Sequence, residues 1–227
     1  MTRFDEFALP IGPAVEFEPP ARPRSGAMKG RYCTLEPLAL AHAEPLFDAF
    51  AEDDGRMWTY LSFGPFERVA ELSALLHGVL EQGEWVGFAI RTDRGIVGAA
   101  HYMEINPRAG SVEVGAVTFS PRLQRTAAAT EAMFLMADRA FEDGYRRYEW
   151  KCDSLNAASW RAAERLGFQH EGTLRNARVY KGRSRDTAYF SMLDSEWPEL
   201  RPGFECWLDP SNFDPDGQQR QKLEALR

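Results

Sequence analysis

The 227-residue sequence has little cysteine, and its three cysteines (Cys33, Cys152 and Cys206) are odd in number and widely spaced. This pattern predicts a reducing compartment and argues against a disulfide framework or a bound metal such as zinc. The N-terminus lacks a basic start followed by a long apolar run, so no secretory signal is expected. No stretch reaches the roughly 18 to 20 apolar residues of a membrane helix. We therefore expect a cytoplasmic protein without a membrane segment.

The sequence also lacks an excess of basic residues. Its 27 Lys and Arg stand against 34 Asp and Glu, which gives a formal charge of −7 and a pI of about 5.3. Nucleic-acid-binding domains are usually basic, so a nucleic-acid partner is not expected. The length predicts one domain, and the 44% hydrophobic content with six Trp is enough for a sizeable core.

Proline concentrates towards both ends of the chain. Residues 1–28 contain five prolines, which predicts an arm without regular structure that is either disordered or wrapped around the domain. Residues 201–227 contain Pro202, Pro210 and Pro215 and end in a predicted helix at 218–227. We therefore divide the chain into an N-terminal arm (1–28), a domain (29–198) and a C-terminal extension (199–227).

Between these ends, hydrophobic periodicity predicts a mixed order of helices and strands. The predicted strands lie at 31–37, 85–91, 96–105, 111–119, 146–152, 168–179 and 186–193, and the predicted helices at 41–51, 67–82, 126–141 and 156–166. This order predicts a layered α/β (α+β) fold with a mixed, mostly antiparallel central sheet flanked by helices. An aromatic loop at 56–66 forms either a buried corner of the core or a wall of a substrate pocket.

The most informative stretch is the predicted strand-to-helix transition after Phe119. The first turn of a helix has unpaired N–H donors, and the helix dipole adds positive potential there, so a phosphate or pyrophosphate binds well. The small residues Ala127, Ala128 and Ala129 would let such a ligand approach the backbone, and Arg125 adds a positive charge. The alternative is a helix start whose alanines serve only helix propensity.

The same stretch resembles the acyl-CoA signature of the GNAT N-acetyltransferase superfamily, Gln/Arg-x-x-Gly-x-Gly/Ala followed by Thr-Glu-Ala. The matching residues are Gln124, Ala129, Thr130, Glu131 and Ala132. Ala127 replaces the central glycine. An alanine there would be strained if the backbone needs a positive φ, and harmless if this residue is already helical.

A second stretch resembles the segment Asn-x-x-Ser/Ala…Leu-Gly-Phe-x-x-Glu-Gly of GNAT enzymes, particularly of the RimJ/RimL-like branch. It runs from Asn156 and Ser159 through Leu166-Gly167-Phe168 to Glu171-Gly172. Asn156 is predicted to cap the helix, with Ser159 at its third position. The resemblance spans roughly residues 30–198 and implies the GNAT fold.

The resemblance also implies acetyl-CoA as co-substrate. In this fold the sheet opens beside the central strand, where backbone N–H groups bind the pantetheine and the thioester carbonyl, and the following turn binds the pyrophosphate. The implied acetyl-CoA contacts are Val117, Thr118, Phe119, Gln124, Arg125, Thr126, Ala127, Ala128, Ala129, Thr130, Asn156 and Ser159.

Acetyl transfer needs a proton acceptor for the amine and a proton donor for the leaving thiolate. Ser159 matches the serine that RimL-type enzymes place beside the CoA sulfur, whereas the more widespread tyrosine position holds Ala163. The general-base position of RimL-type enzymes holds Arg178, which cannot accept a proton at neutral pH. Glu113 matches the alternative carboxylate of the superfamily, so the resemblance implies it as the base, and its place in an apolar strand is expected to raise its pKa. The alternative is a paired edge carboxylate. The weaker candidates are His101 and Asp153.

These residues predict an acetyl-CoA-dependent N-acetyltransferase that acetylates a primary amine of a small molecule, an aminoacyl-type compound or a protein N-terminus. The net charge favours a cationic amine acceptor. The departures at Ala127 and Arg178 leave an alternative open, a non-catalytic acyl-CoA-binding or regulatory module of the same fold. A homodimer is a common assembly for soluble proteins, and the oligomeric state stays open.

Overall fold

A computed structural model describes residues 3–227. The strands are β1 (Arg3–Phe4), β2 (Pro10–Ile11), β3 (Met28–Lys29), β4 (Thr34–Pro37), β5 (Val86–Thr92), β6 (Gly95–Asn106), β7 (Ser111–Phe119), β8 (Arg147–Asp153), β9 (Gln169–Tyr180) and β10 (Arg183–Leu193). The α-helices are α1 (Ala43–Phe50), α2 (Val69–Gln82), α3 (Ala127–Glu142), α4 (Ala157–Leu166) and α5 (Trp197–Trp207). Within residues 3–227, no helix is long and apolar enough to cross a membrane.

Eight strands form one sheet in the order β3-β4-β5-β6-β7-β8-β10-β9. Neighbouring strands are antiparallel except β7 and β8, so the predicted mixed, mostly antiparallel sheet is confirmed. The parallel pairing of β7 with β8 ends where Val114 faces Trp150. Beyond this point the two strands diverge, while β8 continues to pair with β10 as far as Asp153. The second half of β7 therefore has an open edge on the β8 side.

A β-bulge lies in β7 just after the point of divergence. Two residues of β7, Ala116 and Val117, oppose the single Ala100 of β6. Ala116 adopts a φ of 47°, in the left-handed region that is unfavourable for residues other than glycine. Bulges increase the local twist of a strand and are common beside active sites. This bulge reorients the backbone at the open edge of β7.

Helices cover the two faces of the sheet unequally. On one face, α3, α4 and α5 pack in a large apolar cluster that includes Met136, Leu166 and Phe204. On the other face, α1 and α2 cover only the half of the sheet around β5 and β6, with Leu46 and Leu72 in a smaller cluster. Because side chains alternate between faces along a strand, the uncovered half of this second face receives alternate residues of β8 and β10.

The N-terminal arm wraps around the domain, which was one of the two predicted alternatives. Tyr145 Oη donates a hydrogen bond to the Ala21 carbonyl at 3.0 Å, and Arg139 Nη1 donates to the Gly26 carbonyl at 3.1 Å. Arg24 pairs with Asp143 at the end of α3. The prediction of an arm without regular structure is wrong in one respect, because β1 and β2 form a short hairpin.

Helix α5 was not predicted, because Pro198 and Pro202 interrupt its sequence. Pro198 lies in the first turn of the helix, where the N–H that proline lacks needs no intrahelical partner. Tertiary packing supports the rest, since Phe134 of α3 stacks on Phe204 with ring centroids 5.5 Å apart. The burial of these aromatic rings outweighs the poor helix propensity of the segment.

The predicted helix at 218–227 is wrong. This segment contains only a single 3₁₀ turn, Leu223–Ala225. Its Leu223 is fully buried in the large cluster, so the segment is held by packing rather than by its own hydrogen bonds.

Candidate active site

The turn between β7 and α3 contains unpaired backbone donors. Thr126 caps α3, and its Oγ1 accepts a hydrogen bond from the Ala129 N–H at 3.1 Å. The N–H groups of Arg125, Ala127 and Ala128 have no acceptor in the part of the chain that the structure describes. Free donors at a helix N-terminus, reinforced by the helix dipole, bind anions.

The alanine at position 127 is compatible with this turn. Ala127 is the first residue of α3 and is already helical. The left-handed residue is Arg125, two positions earlier, with a φ of 62°. The glycine that the GNAT signature carries at position 127 is therefore not needed here, and alanine favours the helix.

The side chains of two predicted contacts are engaged within the protein. Gln124 Nε2 donates to the Phe119 carbonyl at 2.8 Å. Thr130 is buried, and its Oγ1 accepts a hydrogen bond from Arg165 Nη1 at 3.1 Å. These contacts leave the backbone of the turn and the exposed Arg125 side chain to meet a ligand.

The open edge of β7 carries the predicted contacts Val117, Thr118 and Phe119. Thr118 is buried and its Oγ1 donates to the Ala116 carbonyl at 3.0 Å, which stabilises the bulge. Because β8 does not pair with this part of β7, backbone groups that point away from β6 are free to bind an extended amide-containing ligand.

Ser159 lies on the β8 side of the divergence, at the start of α4. Asn156 Oδ1 accepts from the Ser159 N–H at 3.1 Å, which is the predicted helix cap. Trp150 Nε1 donates to Ser159 Oγ at 3.0 Å, so Ser159 Oγ accepts one hydrogen bond and keeps its own proton to donate, with the Cys152 sulfur as one neighbouring acceptor. Burial raises the pKa of the nearby Cys152 thiol, and the Ser159 hydroxyl opposes this rise.

Glu113 lies opposite Glu149 at the end of the β7–β8 pairing. Lys151 Nζ lies 2.8 Å from Glu113 Oε2 and 3.1 Å from Glu149 Oε2. Burial raises the pKa of Glu113, and Lys151 partly counteracts this effect. Burial lowers the pKa of Lys151, but the two carboxylates raise it overall, so Lys151 stays protonated. Glu113 is thus a buried carboxylate held by one cation.

The charged network continues along β8 and β10. Arg147 Nε donates to Glu149 Oε1 at 2.7 Å, and Arg147 also pairs with Glu171. Ser191 Oγ donates to Glu171 Oε1 at 2.8 Å. Three carboxylates face two cations in this network, so the network carries one surplus negative charge.

Gly115 directs the Glu113 carboxylate towards the bulge. A Cβ atom on Gly115 would lie 2.9 Å from Glu113 Oε1 and 2.6 Å from Met103 Sδ. The carboxylate therefore occupies the space that a side chain at position 115 would fill, one residue before Ala116. The shortest contact of Lys151 is to Oε2, whereas Oε1 is the carboxylate oxygen nearer to Gly115 and the bulge.

The other polar candidates are engaged elsewhere. The Arg178 side chain is 59% exposed, and its Nη2 lies 3.7 Å from Glu104 Oε1. Both oxygens of Asp153 are occupied, because Oδ2 accepts from Tyr180 Oη at 2.7 Å and Oδ1 accepts from the Leu155 N–H at 2.9 Å. Asp153 therefore joins the β9–β10 hairpin to the end of β8.

His101 lies opposite Gly115 on β6 and is 5% exposed. Burial lowers its pKa to about 4, so the imidazole is neutral at neutral pH. Its Nδ1 has no hydrogen-bond partner among the described residues. The ring packs edge-on against Trp85, with centroids 5.4 Å apart.

The aromatic loop at 56–66 forms a buried corner of the core, as one alternative predicted, and it also lines a pocket, whose binding of a substrate stays a prediction. Trp58 is buried and makes edge-on contacts with Phe50, Phe63 and Phe66. These rings line a pocket against α1, α2 and β6. We call this the aromatic pocket, lined by Phe50, Trp58, Phe63, Phe66, Trp85 and His101 among others.

The tip of the β9–β10 hairpin anchors the aromatic loop. Lys181 Nζ donates to the Trp58 carbonyl at 2.7 Å, and Arg183 Nη2 donates to the Thr59 carbonyl at 2.7 Å. The predicted strands at 168–179 and 186–193 are each extended towards the other, because β9 ends at Tyr180 and β10 begins at Arg183. The cations of the hairpin tip fix the backbone of a distant loop.

Comparison with models of known protein families identifies the family of this chain. Residues 33–169 match the model of the acetyltransferase (GNAT) domain. The chain belongs to the GNAT acetyltransferase family. One curated relative of this GNAT protein is the SPbeta prophage-derived uncharacterized N-acetyltransferase YokL of Bacillus subtilis, which is 29% identical over 178 residues, 76% of this chain and 98% of the relative.

Solved structures of other GNAT proteins have the same fold. A GCN5-related N-acetyltransferase from Brucella melitensis is 41% identical, with a TM-score of 0.89 over 92% of this chain and 96% of that chain. A probable GNAT acetyltransferase from Chromobacterium violaceum is 41% identical, with a TM-score of 0.77 over 84% of this chain and 99% of that chain. The GNAT fold of this chain thus extends beyond the segment 33–169.

Sequence reasoning missed two partners in this GNAT site. Lys151 and Trp150 contact Glu113 and Ser159, respectively, but neither partner lies near its contact in the sequence. The spacing of Lys151 and Glu149 on β8 could have predicted their contact, because residues two apart on a strand lie on the same face of the sheet.

Proposed function

We propose that this protein is an acetyl-CoA-dependent N-acetyltransferase of the RimJ/RimL-like branch. It acetylates a primary amine of a small molecule, an aminoacyl-type compound or a protein N-terminus. The observation that carries this proposal is the divergence of β7 and β8 after Val114, directly followed in the chain by the free amides at the start of α3.

The residues present fit acetyl-CoA. The free N–H groups of Arg125, Ala127 and Ala128, with the Arg125 guanidinium, suit the negatively charged diphosphate. The open edge of β7 suits the pantetheine amides. When bound, acetyl-CoA supplies the activated acetyl group. Donors on the β7 backbone would then stabilise the negative charge that develops on the thioester oxygen.

Glu113 is the group that removes the amine proton. An amine is protonated at neutral pH and attacks only as the free base. Oε1 of Glu113 takes this proton, directly or through a water molecule, because it lies on the Gly115 side while the shortest contact of Lys151 is to Oε2. The raised pKa of Glu113 brings its basicity closer to neutral pH, where proton transfer is more efficient.

Ser159 is the group that returns a proton to the leaving thiolate. Its Oγ accepts from Trp150 Nε1, which fixes the oxygen while leaving the O–H as donor. After the thiolate takes this proton, the serine oxygen recovers one from solvent or from the proton removed from the amine.

Two measurements test the proposal. Calorimetric titration of the full chain with CoA should show binding, and thiol release with acetyl-CoA should depend on an added amine and match the acetylated product seen by mass spectrometry. Absence of CoA binding would overturn the proposal. CoA binding without thiol release over a broad amine panel would favour the non-catalytic module, for which Arg178 in place of the family base is the remaining support.

A further inference from the structure

The aromatic pocket has an apolar, uncharged lining. Apart from His101 and Thr118, all its lining residues are apolar. The cavity volume is about 20 Å³, which is enough for a water molecule, so a larger group enters only when the rings move apart. Phe63 and Phe66 are half-buried and lie on a loop rather than on a helix, which lets their rings turn outwards.

One polar atom in this pocket lacks a partner. Buried polar groups in proteins are nearly always hydrogen-bonded, and an exception calls for an explanation. His101 Nδ1 is such an exception among residues 3–227. Because burial keeps the imidazole neutral, Nδ1 is able to form one hydrogen bond with an uncharged group.

The pocket adjoins the proposed site of acyl transfer. His101 faces Gly115, the residue over which the Glu113 carboxylate lies. Thr118 also lines the pocket, and it directly follows the bulge of β7. An amine placed beside Glu113 therefore has its substituent within reach of this pocket.

From this arrangement we propose that the aromatic pocket is the acceptor subsite, and that it selects amines bearing an uncharged aromatic or branched aliphatic side chain. His101 Nδ1 forms a hydrogen bond with a polar group close to the amine, such as a carbonyl. The inference rests on the proposed function. It narrows the acceptor to amines with an uncharged, apolar side chain, a class that the net charge of the protein does not indicate.

The apolar lining of the pocket disfavours acceptor amines that carry a charged side chain. Burying a charge without a partner is strongly unfavourable, and no residue that lines the pocket carries a charge at neutral pH. The surplus negative charge of the site lies on β8 and its neighbours, outside this lining. The reacting ammonium group thus meets the carboxylates while its side chain meets the rings.

A series of amino-acid amides tests this selectivity, because its members differ only in the side chain. We expect kcat/KM for phenylalaninamide and leucinamide to exceed that for alaninamide and lysinamide by about tenfold or more, as a hydrophobic pocket discriminates by size and polarity. Equal rates for all four amides, or a preference for lysinamide, would overturn the inference.

Two variants locate the effect in the pocket. Phe63→Ala should raise KM for phenylalaninamide several-fold more than it raises KM for alaninamide, whereas Phe7→Ala, which removes an exposed ring from the arm, should change neither. His101→Phe should lower kcat/KM for every amide in the series, while His77→Phe on the exposed face of α2 should not. An unaltered ratio of the two amides in Phe63→Ala would reject the pocket as the subsite.

Direct binding separates failure of this inference from failure of the proposed function. Trp58 and Trp85 lie in the pocket, so phenylalaninamide should change the tryptophan fluorescence of the native chain saturably, even if no acetylation occurs. Thermal melting of each variant confirms that it is folded. If the protein acetylates amines but shows neither this fluorescence change nor side-chain selectivity, the proposed function stands and the proposed subsite is rejected.

Discussion

Lys151 Nζ lies 2.8 Å from Glu113 Oε2, one residue before the pairing of β7 with β8 ends. This ion pair joins the two strands at the apex of their divergence. It holds a carboxylate at the point where the sheet opens, with the second carboxylate oxygen on the side of Gly115. The predictions about catalysis depend on this arrangement.

Glu113→Gln should lower kcat by about a hundredfold, the usual range for loss of a general base. Acetyl-CoA affinity should stay nearly unchanged, because the proposed diphosphate contacts lie on the turn before α3. Steady-state kinetics combined with calorimetry measure both quantities. Because the pKa of Glu113 is raised, the wild-type rate should fall with decreasing pH at a higher pH than an ordinary carboxyl group would give.

Glu149→Gln is the matched control for this substitution. It removes the other carboxylate that contacts Lys151 but leaves the one beside Gly115. It should reduce kcat far less than Glu113→Gln does. An unchanged pH–rate profile in Glu113→Gln would reject Glu113 as the base.

Gly115→Ala should lower kcat without removing any catalytic group. The new Cβ would lie 2.9 Å from Glu113 Oε1, so the carboxylate must move. Misplacement of a reacting group by about 1 Å can reduce the rate about a hundredfold. Gly172→Ala on β9 is the control, since a Cβ there has no neighbour within 4 Å. Similar kinetics for both alanine variants would show that the position of Glu113 is unimportant.

Ser159→Ala should reduce kcat while the fold is kept. The Asn156 cap uses the backbone N–H of residue 159, so alanine does not break it. The loss of a general acid lowers the rate by about a hundredfold, and this loss should shrink with thioesters whose thiols are more acidic. Ser195→Ala at an exposed site serves as the control. If the rate loss does not depend on the acidity of the leaving thiol, Ser159 has only a structural role.

Arg125→Glu should weaken CoA binding about tenfold or more, because a negative charge then faces the diphosphate. Arg125→Gly should weaken binding less but raise the melting temperature, since glycine adopts a φ of 62° without strain. Arg108→Glu makes the same charge change in the exposed turn at the other end of β7 and should not alter binding. Calorimetric titration and thermal melting distinguish the three variants.

Glu131→Ala should destabilise the fold by about 3 kcal/mol, because it leaves three backbone donors, one of them fully buried, without an acceptor. The carboxylate accepts hydrogen bonds from the N–H groups of Arg31, Tyr32 and Cys33 at 2.6 to 2.8 Å. Urea unfolding measures this loss. The control is Glu142→Ala, which breaks an exposed ion pair and should have little effect. Equal midpoints for the two variants would contradict the structural role of Glu131.

Local sequence signals predicted most elements of the fold. Thr126 and Asn156 cap their helices with side-chain oxygens, and Gly167 ends α4 in the left-handed conformation. Helix α5 was missed because its stability comes from aromatic packing against α3, which no local pattern shows. Tertiary burial can override propensity in either direction.

The site was predictable only in part. The sequence indicated Glu113 and Ser159, but not the residues that hold them, because the register of two parallel strands separated by a helix is not visible in the sequence. The match of Glu131 to the family signature did not show which groups its carboxylate contacts. Its three backbone donors lie about a hundred residues earlier in the chain.

The contacts of Lys181 and Arg183 with the carbonyls of Trp58 and Thr59 link two segments more than 120 residues apart. The wall of the aromatic pocket is thus positioned by side chains that do not line it. If the aromatic pocket is the acceptor subsite that we propose, substitutions in the hairpin tip would shift this wall and change which amines fit, while the proposed catalytic groups on β7 and α4 stay in place. Substrate choice and chemical competence can therefore evolve independently in this protein.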